Sequence, residues 1–458
     1  VLSIKSEYSQ MTPELLAELI TRHKGIVMGR LQKLHDAYAN DYRIFHMQPK
    51  EAWKPDNRLA VNFAKYITDT FNGFFCGIPI KTSSDDEKID GYIQLLDHYN
   101  GMDENNVELS KMADIYGLAN EMYYIDEEGN IGETYVSPMQ SFLVTDDSIL
   151  ERPMYFIRYY RDSENVERGS WSDAQVVQHF VNKGGYRWED EPKIHGFDGV
   201  PAVEFKENEE ATSIYESVLN LIDGYNKALS EKANDVDAFA DAYMKVTGVK
   251  LDKDEVVRIR DDRLINLYSD DPDDGSGDLD AQFLQKPSSD ETQENLIERL
   301  QKLIFQISMV ADISDENFAG SASGVALKYK LQPMSNLAQD KELKFRAAMN
   351  RRYRLIFSNP ISMAQGVRAD DWLKVDYQFT RNYPQNILDE AQTAAQLEGV
   401  VSKETQLSVL SIVDDPKKEI DRMREEEDEA VSRPTASEQA IFPNVSADVM
   451  NGLNNEER

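Results

Sequence analysis

The run Asp270-Asp-Pro-Asp-Asp-Gly-Ser-Gly-Asp278 is the nearest thing in this chain to a ligand set. Its carboxylates and glycines suit a calcium loop, in which oxygens ring the ion and a Gly at the sixth position makes the turn. With Gly275 in that position, Pro272 falls at the third ligand and Ala281 where the bidentate Glu belongs. The run therefore reads as a solvated acidic turn. Six histidines (His23, His35, His46, His98, His179, His195) are scattered without metal spacing and read as packed or surface residues. The chain has no HExxH helix, no GxSxG elbow and no GxxxxGK[ST] phosphate loop, which argues against a zinc peptidase, a serine hydrolase and a P-loop ATPase. A carboxylate-based nuclease needs a spaced pair of acids, and none stands out among 83. The single cysteine, Cys76, lies in the apolar run Phe71-Asn-Gly-Phe-Phe-Cys-Gly77 and reads as a buried structural thiol. One thiol permits no intrachain disulfide and no thiolate zinc cluster, and it fits a reducing compartment. No catalytic residue, metal or cofactor is predicted.

Charge narrows the partners. The 458 residues carry 83 acids against 50 bases, a net charge of −33. Tight grip on nucleic acid needs Lys and Arg on phosphates, so this balance argues against it. It leaves room for a conduit whose acidic lining repels phosphates and shortens contact, and equally for an ordinary solvated acidic surface. Eight bases (Lys328, Lys330, Lys341, Lys344, Arg346, Arg351, Arg352, Arg354) against Asp340 and Glu342 make one helix the exception. They suit an interface with acids of a neighbouring copy, or else DNA. No apolar run approaches the roughly 20 residues that cross a bilayer, and no signal peptide opens the chain, so no membrane partner is expected. The chain begins at Val1 without Met, and a short N-terminal stretch is expected upstream.

The elements that would position these groups follow from period and punctuation. Thr12-Pro13-Glu14 starts a helix. Asn57–Cys76 reads as a buried helix ended by Gly73, Gly77 and Pro79, and a helical pair runs on to Leu118. From Glu121 the period becomes strand-like: an antiparallel meander through Met122–Ile125, a turn at Asp126–Asn130, Thr134–Val136, Met154–Tyr160, Gln175–Val181, Gly185–Trp188 and Pro201–Phe205. Residues 211–243 form a long helix whose Val218, Ile222, Tyr225, Leu229, Lys232, Val236 and Phe239 follow an alternating four–three spacing, as suits lengthwise packing. After an excursion at 244–287, Ser288 and Glu291 cap a second helix with Leu296, Leu300, Leu303, Ile304, Ile307 and Val310 on one stripe. A loop of acids and small residues leads at Ser323 into a further long helix, where Pro333 predicts a break. Trp372–Phe379 reads as a strand, and Leu388–Leu397, Ser402–Leu410 and a helix from Pro416 form a small cluster. Glu425–Glu429 and the end after Val445 read as solvated or disordered.

Five segments in this order resemble the portal proteins of tailed bacteriophages, in the family common in long-tailed phages of Gram-positive hosts. They are Asn62-Phe-Ala-Lys-Tyr-Ile67 to Pro79, Pro201-Ala-Val-Glu-Phe205, Leu221-Ile-Asp-Gly-Tyr225 to Asn234, Ser323-Gly-Val-Ala-Leu-Lys-Tyr-Lys330 and Val413-Asp-Asp-Pro416. The resemblance spans nearly the whole chain. It implies an α+β fold: a wing (1–210), a stem helix (211–243), a small α/β clip (244–288), a second stem helix (289–311) and a tunnel loop (312–322). A long kinked helix with a wing strand (323–385) and a helical crown with an acidic tail (386–458) complete it.

The function implied is a ring, usually of twelve copies, at one capsid vertex, made in the host cytoplasm and retained in the virion. It would conduct double-stranded DNA during packaging and ejection. Its partners would be the terminase large subunit, head-completion or adaptor proteins, and major capsid and scaffolding proteins. By position, Asp312, Ile313, Ser314, Asp315, Glu316, Asn317, Phe318, Ala319, Gly320 and Ser321 would face the DNA. Val218, Ile222, Tyr225, Leu229, Val236 and Phe239 would meet the next subunit, with Lys232 pointing instead toward the bore to meet phosphates. Asp252, Asp254, Glu255, Asp270, Asp271, Asp273 and Asp274 would dock partners at the clip. A baseplate or scaffold subunit without a DNA channel is the alternative.

Overall fold

A computed structural model describes residues 2–5, 10–51, 54–240, 244–247, 280–283, 290–313, 328–382, 387–410, 412–413 and 416–432. The chain divides into one unit of Val1–Glu316 with Tyr329–Asn382 and another of Asn317–Lys328 with Tyr383–Arg458.

The first unit opens with β1 (Leu2–Ile4) and α1 (Pro13–Arg22), whose cap Thr12 accepts from the Leu15 amide as its sequence predicts. A π-helical turn (His23–Val27) leads into α2 (Met28–Tyr38). Helix α3 (Phe63–Cys76) is shorter than its apolar pattern suggests, because Asn62 caps it and residues before the cap are extended. After β2 (Lys81–Ser84) come α4 (Glu87–Asn100) and α5 (Met102–Tyr116).

The strands do not form one meander. β3 (Leu118–Ile125) and β4 (Ile131–Val136) pair through the predicted turn, where Asp126 accepts from the Glu128 and Asn130 amides and Gly129 takes φ +84°. They join β11 (Ala202–Lys206) in a three-stranded sheet of order β11-β3-β4. A separate seven-stranded sheet holds β5 (Ser141–Asp146), β6 (Pro153–Arg161), β7 (Glu167–Ser172), β8 (Val176–Asn182), β9 (Tyr186–Trp188) and β10 (Lys193–Ile194), with β1 parallel to β5 at its edge. Helix α1 lays Leu16, Leu19 and Ile20 on Phe142, Val144, Tyr155, Ile157 and Phe180 of this sheet.

α6 (Leu219–Ala240) and α7 (Asp290–Ser308) follow, separated by the antiparallel pair β12 (Met244–Thr247) and β13 (Asp280–Phe283). Next, α8 (Gln332–Ser358) carries Pro333 in its first turn, and a non-helical Leu331 separates it from the helical residues 328–330. The break falls where the missing amide costs no internal bond. α9 (Pro360–Ala364) and β14 (Val375–Gln378), antiparallel to β2, finish the unit.

The second unit contains α10 (Ile387–Gln396), α11 (Lys403–Leu407) and α12 (Pro416–Ser432). Ser402 caps α11, and Gln406 donates to the Ala394 carbonyl. The acidic run 425–429 belongs to α12 rather than to an irregular tail. Among the described residues, no helix is long and apolar enough to cross a membrane, and no cluster of His, Cys, Asp or Glu is placed to hold a metal.

Candidate functional site

The helices α6 and α7 pack side by side, and the loop predicted to matter most leaves from the end of α7. Lys232 is ion-paired with Glu294, and Gln293 donates to Asp235 at 2.7 Å. The Lys232 ammonium is thus engaged by the neighbouring helix of its own chain, which replaces the expectation that it reaches phosphates. Near the other end, Phe305 of α7 stands edge-on to Phe63 and Tyr66 of α3, and Phe63 stands edge-on to Tyr225 of α6. Such pairs add to the apolar burial that joins three helices here.

This packing corrects part of the predicted subunit interface. Val218, Ile222 and Tyr225 are buried within the chain itself. Their four–three spacing serves packing inside the chain, where Tyr225 meets Phe63 of α3. Leu229 is half-buried, while Val236 is 62% exposed. Phe239 lies on α6, with its side chain outside the described set. On α7 the stripe also splits. Ile304, and Val310 just past the helix end, are buried, as is Ile297 off the predicted stripe, whereas Leu296 and Ile307, three turns apart, are 50% and 46% exposed.

The polar face of α6 carries a contact that the apolar pattern hid. Asn226, Ser230 and Asn234 recur every fourth residue and take the amides of Val61, Leu59 and Asn57 at 2.8, 2.9 and 2.6 Å. Four helical residues rise about 6 Å, and two extended residues span about 6.6 Å, so successive rungs stay in step. The ladder satisfies backbone donors that belong to no helix or sheet. Lys50 adds an ion pair to Glu231 at 2.7 Å. The spacing Asn226-Ser230-Asn234 was the available signal.

The first helix-forming turns before α6 are equally fixed. Ser213 Oγ donates to the Asp114 carbonyl, Tyr215 Oη to the Leu34 carbonyl, and Arg30 reaches both Glu216 and the Ala211 carbonyl. Gly117 takes φ +89° here, and a Cβ on it would meet Ala211 O at 2.0 Å. Only glycine permits this crossing.

At its C-terminus α7 stops at Ser308 and Met309 turns the chain with φ +60°. Gln301 then donates to Asp312 at 3.3 Å, and the Ile313 amide donates to Tyr66 Oη at 2.9 Å. Asp312 and Ile313 are thereby placed. Ser314, Asp315, Glu316, Asn317, Phe318, Ala319, Gly320 and Ser321 lie outside the described residues, as do the clip candidates Asp252, Asp254, Glu255, Asp270, Asp271, Asp273 and Asp274.

The basic helix α8 departs most from expectation, since four of its bases find acids of the same chain. Lys341 is fully buried, with Nζ 2.5 Å from Asp114, 2.9 Å from Glu207 and 4.9 Å from the Phe75 ring centroid. Three turns on, Arg352 grips Glu121 with two bonds of 2.8 and 2.9 Å and donates to Asn106 Oδ1 at 2.9 Å. Glu133 lies 3.7 Å from the same guanidinium. Lys344 pairs with Glu209, and Arg346 with Glu342. Each buried cluster sets two carboxylates against one base. Burial, then repulsion from Glu121, pushes the Glu133 carboxyl up to about 8 against the pull of Arg352. Burial likewise holds Asp114 well above the usual carboxylate range despite Lys341. Cys76 is buried nearby, its thiol pushed up to about 11 mainly by burial, in keeping with a structural role. His23 is also internal, stacked on Phe142 and bonded to Tyr159 at 2.9 Å.

The family model described as "Phage portal protein, SPP1 Gp6-like" matches residues 19–433. The chain belongs to this phage portal protein family. Among curated portal proteins, that of Bacillus phage SPP1 is 24% identical over 401 residues, covering 81% of this chain and 76% of the relative. That of Clostridium phage phiCD119 is 25% identical over 379 residues, covering 76% and 79%. A solved structure titled "Neck of empty GTA particle computed with C6 symmetry" aligns with a TM-score of 0.42 at 12% identity, covering 76% of this chain and 89% of the other. The protein is accordingly a portal, the head-to-tail connector of a phage particle, with an α+β fold. As a portal it is a structural component of the virion and works in an oligomeric ring alongside other head and tail components.

Proposed function

We propose that twelve copies close into a ring at one capsid vertex and that double-stranded DNA enters and leaves through its centre. In this reading residues 1–210 and 323–385 form the wing, α6 and α7 the stem, 244–288 the clip, 312–322 the tunnel loop and 386–458 the crown. The observation that carries the ring is the α7 face bearing Leu296 and Ile307, apolar residues that the chain's own fold leaves exposed. A helix normally turns such a stripe inward, so a neighbouring copy is its natural cover.

The clip acids would dock the terminase large subunit and later the head-completion or adaptor proteins, while the wing meets major capsid and scaffolding proteins. The energy for translocation would come from the docked ATPase, because the sequence contains no phosphate loop; this chain supplies channel and platform, without catalysis or cofactor. Acids at the loop's base would repel phosphates and keep contact with the duplex brief. Assembly would take place in the host cytoplasm. Electron microscopy of the purified protein tests the proposal. Rings with a hole wide enough for duplex DNA are expected; a persistent monomer, or a closed disc, would overturn it.

A further inference from the structure

We infer that Tyr66 is a positioning residue for the loop after α7, tying its base to the helical pair so that base and helices move together. The inference rests on reading that loop as the DNA-facing one. Three observations carry it. First, the chain leaves α7 through Met309 at φ +60°, a left-handed conformation that a residue with a Cβ resists, so the bend must be held by its surroundings. Val310 is buried immediately afterwards, but the Ile313 side chain is 55% exposed, and packing contributes little to fixing it.

Second, the Ile313 amide donates to Tyr66 Oη at 2.9 Å, while the Tyr66 ring stands edge-on to Phe305 with centroids 5.6 Å apart. One side chain therefore grips both sides of the bend: α7 before it through the ring, and the departing backbone through the hydroxyl. Third, Tyr66 is itself located by the stem. Phe63, one turn earlier on α3, packs on Tyr225 of α6 and Phe305 of α7, and the residues leading into α3 are laddered onto Asn226, Ser230 and Asn234. A shift of α6 would carry residues 57–66 with it, and with them the acceptor for Ile313.

Tyr66→Phe removes the acceptor and keeps the ring. Hydrogen–deuterium exchange at single-amide resolution on the full chain should show the Ile313 amide exchanging roughly fivefold to tenfold faster, the effect of losing one hydrogen bond. Rings should still form. Tyr38→Phe, which removes a neighbouring hydroxyl bonded to Asp69 rather than to the loop, should leave Ile313 unchanged. Unchanged exchange in Tyr66→Phe, or an equal rise in Tyr38→Phe, would overturn the assignment. Particles assembled with Tyr66→Phe provide the second readout. Faster exchange with normal DNA packaging and retention would leave Tyr66 as the anchor and instead count against the reading of that loop as DNA-facing.

Discussion

Two lysines on long helices, Lys341 and Lys232, separate the two halves of this portal's first unit. Lys341 is fully buried between Asp114 and Glu207, whereas Lys232 meets Glu294 at the edge of the α6–α7 pair with part of its side chain in solvent. Inside, an ammonium without its carboxylates is untenable, and carboxylates without the ammonium are equally so. At the surface water replaces a lost partner, and an ion pair is worth about 0–1 kcal/mol. The region around α8 is thus locked by charge, while α6 is held to residues 57–63 by backbone bonds to neutral Asn and Ser side chains and by aromatic packing that Phe63 extends to α7.

The largest test of that contrast is Arg352→Met. It strands Glu121 and Glu133 in the interior and should cost about 3–5 kcal/mol, read as a lowered denaturation midpoint or as insoluble protein. Replacing Glu121 and Glu133 with Leu in the same chain should recover most of the loss.

The pH dependence comes next. Glu133 has a folded value near 8 against 4.5 for the free side chain. A raised carboxyl contributes stability that is complete below its unfolded value and is lost as pH climbs through its folded value. Denaturation midpoints should therefore fall between about pH 4.5 and 8, and Glu133→Gln should flatten that slope and be the more stable variant at pH 8. An unchanged slope would show that Glu133 is ionised in the fold.

Ser230→Ala, which removes the middle rung under Leu59, should lose about 1 kcal/mol and no more, without changing the pH profile. Smallest in stability are Lys232→Ala and Ile307→Asp, each expected within about 0.5–1 kcal/mol as a monomer. They should differ in assembly. Lys232→Ala rings should persist in size-exclusion chromatography and microscopy, whereas Ile307→Asp should remain monomeric. Intact Ile307→Asp rings would remove the exposed α7 stripe from the interface.

Much of the local architecture was legible because its causes are local. Thr12, Ser402 and Pro416 mark helix starts through cap and ring chemistry that needs only the next few residues, and Pro333 marks the break at Leu331 for the same reason. The turn at Asp126–Asn130 was visible in its Asp and Gly. β1, β2 and β5 escaped, because short or fully buried strands show no alternation. The division of one meander into two sheets also depends on pairings distant in sequence, such as β11 on β3.

The order of five short segments carried the resemblance to phage portals that the family match bears out, whereas the charge balance and missing motifs argued only against particular chemistries. They could not say which charges are internal. Lys341, Phe345 and Arg352 lie on one face of α8, and that spacing hinted at burial, but the acids that receive the two cations come from α5, β3, β4 and the stretch after β11. A charge is stable in the interior only when its partner arrives from elsewhere in the chain, so its role is settled by packing rather than by its neighbours in sequence. The same holds for the α6 stripe: four–three spacing demands a partner, and only the folded chain shows that Ile222 is buried within it while Ile307 on α7 is left half-exposed.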